Sequence, residues 1–508
     1  MSAATQDAQT GSHGLTILFA VGLALILGVC VLAAGEIAII AVFGTIAFVV
    51  FLRYPVLGLH LTTVLLLVSG SIGQIGPLRV AVPVTAAKVC GFVTFLAWIS
   101  NLLARRQPFR FNREMALLVL FFLWSAIGVF ASPHWEEQWP DWFRLGTLLT
   151  YFLLAIHLLD TPKRIHTFVI VILLCGLGMA TFAVVQYLTP ALQLDVDTAI
   201  ADMGVRAEGA YVDTESLTGS AAVRVSGGAG HSNWLAMIIL IILPLNTYWF
   251  ATAKSWRIKA LSLLTAALEV VALILTFTRV GFLVGLTVLV ILGVRHLFRW
   301  NPYRISAAAA AVVLAWFMLP SAYKERVLEP KQYATSSSVQ SRIELQEAAL
   351  RFTRERPVWG LGLGGYGYRL LEDNTRTAEH MRWIVEEAGW SPLFIGTHNL
   401  PLQILCETGV VGLGLLVTFF VVLLRDLGRA RKQFVATGDK RMLYLTMALE
   451  VSLWSFLICG LFLHALQQKI WWMMAAIATV VPLYQVSAVE VRERVKARAP
   501  GVREPVTR

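Results

Sequence analysis

Charged side chains are scarce in this chain: they make up 14% of its residues, where soluble globular proteins carry about a quarter. That shortage excludes a string of ordinary soluble domains with solvated surfaces. Cysteine is sparse as well. Cys30, Cys90, Cys175, Cys406 and Cys459 sit in or beside apolar stretches with no C-x-x-C spacing. They read as small hydrophobes, and no disulfide framework is implied. There is no H-E-x-x-H pattern, and the acids Glu372, Asp373, Glu386 and Glu387 are not at metal-ligand spacing. No residue pattern therefore calls for a metal or another cofactor. The opening MSAATQDAQTGSHG lacks the basic region of a signal peptide, and the apolar stretch after it outruns a signal core. It reads as an uncleaved first span.

What the chain does have is hydrophobic sequence: 57% of its 508 residues, with a mean hydropathy of +0.69. The apolar residues fall in blocks of about 17–25, the length a helix needs to cross about 30 Å of hydrocarbon. Inside a bilayer each span must satisfy its own backbone hydrogen bonds, so such blocks predict helices. The expected fold class is an all-α polytopic membrane protein with about 12–14 transmembrane helices. The predicted spans are 14–34, 36–52, 55–71, 84–103, 115–131, 143–160, 167–188, 233–251, 260–278, 280–297, 305–320, 398–424, 443–465 and 468–487. They divide the chain into transmembrane helices over 1–188, a loop over 189–232, and helices over 233–320. A large loop over 321–397, C-terminal helices over 398–487 and a basic tail over 488–508 complete it.

The net charge of +11 would suggest nucleic acid in a soluble protein. Here the cations collect in alternate short loops: the run at 105–113, then Lys254, Arg257 and Lys259, then the loop at 425–441. Membrane proteins keep Lys and Arg on the cytoplasmic side, so the pattern predicts both termini inside and involves no nucleic acid. The loops over 189–232 and 321–397 then face outward, too long to be mere connections. The second contains a predicted surface helix. Ser341 and Glu344 have capping-box spacing. Leu345, Ala348, Ala349 and Phe352 recur at helical spacing, and Pro357 marks the end. Gly360, Gly362 and Gly365 match G-x-G-x-x-G, but no strand precedes them, so they are expected to form a flexible turn and not a nucleotide site.

Several cations and one histidine fall on the outer side. His398 stands where a span begins, with Thr397 or Asn399 available as N-cap. A helix N-terminus disfavours imidazolium, which suits a general base, although a histidine there is more often structural. Arg279 sits in the tight turn TFTRVG and Arg224 in VRVSGGAGHSNWLA; Arg206 is weaker, and Lys88 lies a turn inside an apolar span, where an ammonium is costly and usually faces a polar interior. Each has a plain alternative, snorkelling or a solvated loop charge. Together they point to a phosphate ligand, which the planar guanidinium fork grips bidentately.

The run RERPVWGLGLGGYGYRL, followed by HNLPLQILCETGVVGLGLL, resembles the C-terminal region of the O-antigen ligase and polymerase superfamily. Pro357, Gly360, Gly362, His398, Asn399, Leu402, Glu407, Gly409 and Gly412 fill its "P-x-x-G-x-G" and "HN-x-x-L-x-x-x-x-E-x-G-x-x-G" patterns. Arg224, Gly230, Asn233 and Ala236 resemble an upstream element, with Ser232 where proline is common, and Arg279 resembles its turn arginine. The resemblance covers 224–415. It implies a GT-C-like bundle and a membrane glycosyltransferase that takes an undecaprenyl-diphosphate-linked glycan as donor on the periplasmic face of the bacterial inner membrane. His398 would activate the acceptor hydroxyl, the cations would hold the diphosphate, and Asn399 and Glu407 would support the site. The acceptor would be lipid A core for a ligase, or a lipid-linked repeat for a polymerase. The competing class is a lipid-linked oligosaccharide transporter, for which repeats and ionisable groups near the bilayer midplane would be expected.

Overall fold

The computed structural model describes residues 36–72, 86–105, 109–189, 224–292, 337–387 and 391–498. The predicted spans at 14–34 and 305–320 lie outside these residues, as does Arg206. All regular structure among the described residues is helical, in keeping with the expected all-α polytopic class. Seven helices there are long and apolar enough to cross a membrane, and three more are apolar but shorter.

The chain forms two compact units. The smaller contains α1 (Glu36–Arg53), the first half of α2 (Pro55–Ile72) and α3 (Ala86–Arg105). Gly58 lets α2 approach α3: a Cβ there would lie 2.4 Å from Thr94 Oγ1. The Thr62 hydroxyl donates to the Gly58 carbonyl (2.8 Å) and meets Cys90 Sγ, so these polar groups are satisfied inside an apolar pair.

The larger unit holds α4 (Arg113–Phe130), α5 (Trp135–Leu158), α6 (Pro162–Leu188), α7 (Ser232–Thr252), α8 (Trp256–Leu275) and α9 (Arg279–Leu292). After these come α10 (Ser337–Glu355), α11 (Gly365–Leu371), α12 (Arg376–Glu387), α13 (Leu400–Thr437), α14 (Lys440–Gly460) and α15 (Lys469–Arg498). Among the seven long apolar helices α7 is the most buried, and it packs against α6, α8, α9 and α14. α13 packs against α4, α14 and α15.

Four boundaries differ from those read from the sequence. The segment PHWEEQWPDW at 133–142, which falls between the predicted spans 115–131 and 143–160, is mostly helical: α5 starts at Trp135, and Trp142 stacks on Phe122 (centroids 4.4 Å apart) and donates to its carbonyl. α10 starts at Ser337, which puts Ser341 inside the helix, so the expected capping box does not form; Glu344 accepts a hydrogen bond from Thr377 instead. α13 and α15 run past the predicted ends, to Thr437 and Arg498, so the first part of the basic tail is helical.

The stripe on α10 does what its period predicts. Leu345, Ala348, Ala349 and Phe352 are buried against Leu361, Tyr366, Leu370, Ile395 and Cys406. Burying a side chain of Leu or Phe size is worth about 1.5–3 kcal/mol, enough for this cluster to dock a helix whose other face is charged. Tyr366 secures the dock by donating from its hydroxyl to the Leu345 carbonyl (2.7 Å).

The glycine run at 360–365 is not a loose turn. α13 breaks at Gly409 (φ 69°, ψ −173°), which frees backbone groups in a buried place. Each is taken up: Leu361 N–H donates to Cys406 O (3.0 Å), Gly362 N–H to Glu407 O (2.9 Å) and Trp124 Nε1–H to Thr408 O (2.9 Å). Val410 N–H donates in turn to Pro357 O (2.9 Å). A helix interrupted where water is excluded requires this accounting. Only glycine fits at the crossing, because a Cβ on Gly409 would lie 2.0 Å from Val358 O.

Candidate functional site

The candidate residues gather where the N-termini of α7, α9 and α13 meet the C-termini of α8 and α14. Five helix ends put these groups at one end of the larger unit. The basic residues between α7 and α8, and between α13 and α14, lie at the other end.

Arg224 enters over the end of α8. Val225 N–H donates to Leu275 O (3.3 Å), and the glycine turn that follows is held by Gln186, whose Oε1 accepts from Ser226 and Gly227 N–H. Fixed in this way, Arg224 donates through Nε to the Thr276 carbonyl and through Nη2 to Asn233 Oδ1, both at 3.2 Å. Arg279 opens α9 three residues after Thr276. The turn between them carries Phe277 at φ +49°, a strained value for a buried aromatic. Thr278 caps α9 by accepting from Gly281 N–H (3.1 Å). A narrow cleft lined by Asn233, Thr278, Val280, Gly281 and Leu463 joins the two arginine-bearing segments to the α14–α15 loop.

His398 also stands in the left-handed region, at φ +51°. Such a conformation persists only where its surroundings over-determine it, and strain of this kind clusters at functional sites. Here the surroundings are a chain of polar side chains. Glu407, buried in α13, accepts from Gln403 and from backbone N–H groups of Gly364 and Tyr366. Gln403 Oε1 accepts from Thr397 N–H (2.8 Å), and the Thr397 hydroxyl donates to Asn399 O (2.7 Å). Of the two candidate caps it is Asn399 that caps α13, accepting from Leu402 N–H (3.0 Å), while its Nδ2 donates to Leu461 O (3.1 Å). The glycine loop is thus linked through Glu407 and Gln403 to the backbone that carries His398.

Three residues join this group that the sequence reading did not single out: His231, Arg342 and His464. His231 caps α7 and accepts on Nδ1 from Asn233 N–H (2.9 Å), so its neutral ring carries the proton on Nε2. The His464 ring lies edge-to-face with His398 (5.4 Å, 75°) and with Trp234 (5.5 Å, 85°). Burial holds all three histidines below their ordinary proton affinity: His231 is pushed down to about 3 and His464 to about 4. His398 lies well below the usual imidazole value, chiefly through burial, to which His464, Arg342 and His231 add wherever they are protonated; of these only Arg342 is charged near neutral pH. A signal for Arg342 was present in the sequence. It is three residues before Leu345 and seven before Ala349, a cation on the apolar stripe of α10.

Lys88 belongs to the smaller unit, where it is exposed in the first turn of α3. The site described here is built from the larger unit alone. Among the described residues no group of three or more His, Cys, Asp or Glu side chains is arranged to hold a metal ion.

An all-helical membrane protein with clustered guanidiniums and a neutral histidine at one end of its bundle is the class these features define. Residues 260–417 match the model of the O-antigen ligase family, which supports membership of the O-antigen ligase and polymerase superfamily. The matched stretch carries Arg279, Arg342, the glycine loop, His398, Asn399 and Glu407, while Arg224, His231 and His464 fall outside it. It supports a glycan-transfer role in O-antigen or polysaccharide biosynthesis, and so an enzyme. No curated protein matches the chain.

Proposed function

We propose that this protein transfers a glycan from an undecaprenyl-diphosphate carrier to an acceptor hydroxyl, without a metal, on the periplasmic face of the bacterial inner membrane. The observation that carries the reading is that Arg342 acts on a His398 kept neutral by burial, while Arg224 acts on the neighbouring buried His231 and grips the Thr276 carbonyl in the turn that leads to Arg279. The side follows from charge: Lys254, Arg257, Lys259 and the run at 425–441 lie at the opposite end of the helices, the end that the positive-inside rule assigns to the cytoplasm.

The chemistry asks two things of the protein. The acceptor hydroxyl must lose its proton as its oxygen attacks the anomeric carbon, and His398 takes that proton. The bond from the anomeric carbon to the diphosphate oxygen breaks, and the electron pair stays on the diphosphate. Guanidiniums already in place meet that charge without reorganising, which is where preorganised electrostatics lower a barrier most. They supply the role that a divalent ion fills in other diphosphate chemistry. The left-handed backbone of His398 and the link from Glu407 through Gln403 to Thr397 hold the base in one position.

The test is transfer by purified protein in proteoliposomes supplied with lipid-linked donor and a glycolipid acceptor, in EDTA. The expected result is glycosylated acceptor together with free undecaprenyl diphosphate. Arg279→Ala should lose about 10²–10³-fold in rate, the usual cost of one preorganised donor. Arg279→Lys should recover little, since lysine is a point charge without the fork. Donor carried across the bilayer intact would identify a transporter, and activity lost in EDTA but restored by a divalent ion would return the metal.

A further inference from the structure

His464 has no assigned part in the reaction above, and its surroundings are unusual. Its ring lies directly on the backbone that precedes His398: a Cβ on Gly396 would come within 2.5 Å of His464 Cγ, so glycine is required there for the ring to fit. Trp234 backs it edge-to-face from α7. The loop that carries it is fixed from several sides. Trp471 and Trp472 both donate to Leu466 O (2.8 and 3.0 Å), and Arg144 donates to Gln467 Oε1 (2.8 Å). A residue wedged so firmly would serve packing best as Leu or Phe, yet it is an imidazole whose Nδ1 is buried and has no hydrogen-bond partner. An unsatisfied buried polar atom destabilises the fold and calls for an explanation.

His398 carries the complementary deficit, because its Nδ1 is also buried and unpartnered. A general base needs one bare ring nitrogen facing the substrate, and the other nitrogen must then hold the ring proton. Since Nδ1 of His398 is the nitrogen turned into the protein, the substrate-facing atom is Nε2 and the proton belongs on Nδ1. In Ser-His-Asp sites a carboxylate accepts from that Nδ1–H and so fixes both tautomer and orientation. The charged and titratable groups acting on His398 here are His464, Arg342 and His231, none of them a carboxylate. Of these His464 is the one in ring contact, and its Nδ1 is an unused acceptor.

We propose that His464 is a positioning residue for His398: its neutral imidazole accepts the Nδ1–H of His398 through a small rotation of the facing rings, and so fixes the tautomer that leaves Nε2 bare. No bond is made or broken at His464. When His398 takes the acceptor's proton on Nε2, the same contact steadies the imidazolium. Arg342 cannot serve, because guanidinium has no acceptor. His231 already uses its Nδ1 lone pair on Asn233 N–H. The inference rests on His398 being the base.

Two variants separate a hydrogen-bonding role from packing. His464→Phe keeps a flat ring against Gly396 and Trp234 but has no acceptor. His464→Gln packs less well but offers a carbonyl oxygen. In the proteoliposome transfer assay, His464→Phe should lose tenfold or more in kcat with KM for the donor unchanged, and His464→Gln should retain more kcat than Phe. Phe equal to or better than Gln would overturn the proposal, since that is the order packing alone predicts. Solid-state 15N spectra of the wild-type protein provide a readout that needs no folded His464 variant. The His398 signal, identified by its loss in His398→Gln, should show a protonated Nδ1 and a bare Nε2, and the opposite tautomer would also overturn it. Wild-type turnover by His398→Gln in the same assay would instead remove the base itself, a failure distinct from that of His464.

Discussion

At the scale of single residues, charge state decides what the histidines can do. His231, His398 and His464 are neutral because burial penalises imidazolium more than the surroundings repay. All three folded values lie below that of an exposed histidine, so the stability they represent is fully present above about pH 6.5. It is lost as pH falls from there toward about 4 for His464 and about 3 for His231, because the unfolded chain then binds protons the folded one refuses. The thermal midpoint in nanodiscs should therefore drop between pH 6.5 and pH 4, and kcat should stay level down to pH 6.5 before its acid limb begins. An acid limb centred above 6.5 would mean that His398 is not held neutral. Much of this site was legible in the sequence. His398, Arg279 and Arg224 were marked by their places at span ends beside recognisable motifs. Arg342, His231 and His464 were not, because a lone histidine in a short loop, or an arginine on an amphipathic helix, has an ordinary explanation until the fold brings it to its neighbours.

At the scale of elements, hydropathy located the helices well because in a bilayer the backbone has few alternatives to α-helix. Where helices leave the hydrocarbon that constraint lapses, and there the sequence reading erred. α5 begins in a tryptophan-rich acidic segment, α10 begins before its supposed cap, and the glycine run proved to be pinned to α13. Nothing in the one-dimensional pattern marks the break at Gly409, since its cause is the backbone of 357–362 crossing the helix. Gly409 and Gly414 lie on the same helix and make opposite predictions. Gly409→Ala forces a side chain into a left-handed position and against the Val358 carbonyl, so folded protein and activity should both be lost. Gly414 has open space where a Cβ would go, and Gly414→Ala should be neutral or more stable by about 0.5–1 kcal/mol. Detergent-solubilised yield and melting temperature read both; a well-folded Gly409→Ala would show that the crossing is not obligatory.

At the scale of the whole molecule, the distribution of charge and the distribution of candidate chemistry are two readings of one arrangement. The basic residues around the α7–α8 and α13–α14 turns sit at one end of the larger unit's helices, and the arginines with the histidine cluster sit at the other. A transporter would be expected to place its ionisable groups near the midplane. The deepest carboxyl among the described residues, Glu269, is enclosed between α6 and α7, where Asn246 donates to it (2.7 Å) and Gly176 makes room for it. It belongs to the packing of three helices and lies apart from the helix ends that carry the site. The central claim is that His398 removes the acceptor's proton at the outer end of this bundle. The most direct test is single-turnover transfer from purified lipid-linked donor by His398→Gln, which keeps a hydrogen-bonding side chain of similar reach but cannot take up the proton. The account predicts a loss of about 10²–10⁴-fold, the usual contribution of a general base, with donor binding intact. Turnover at the wild-type rate would contradict it and leave His398 a positioning group only.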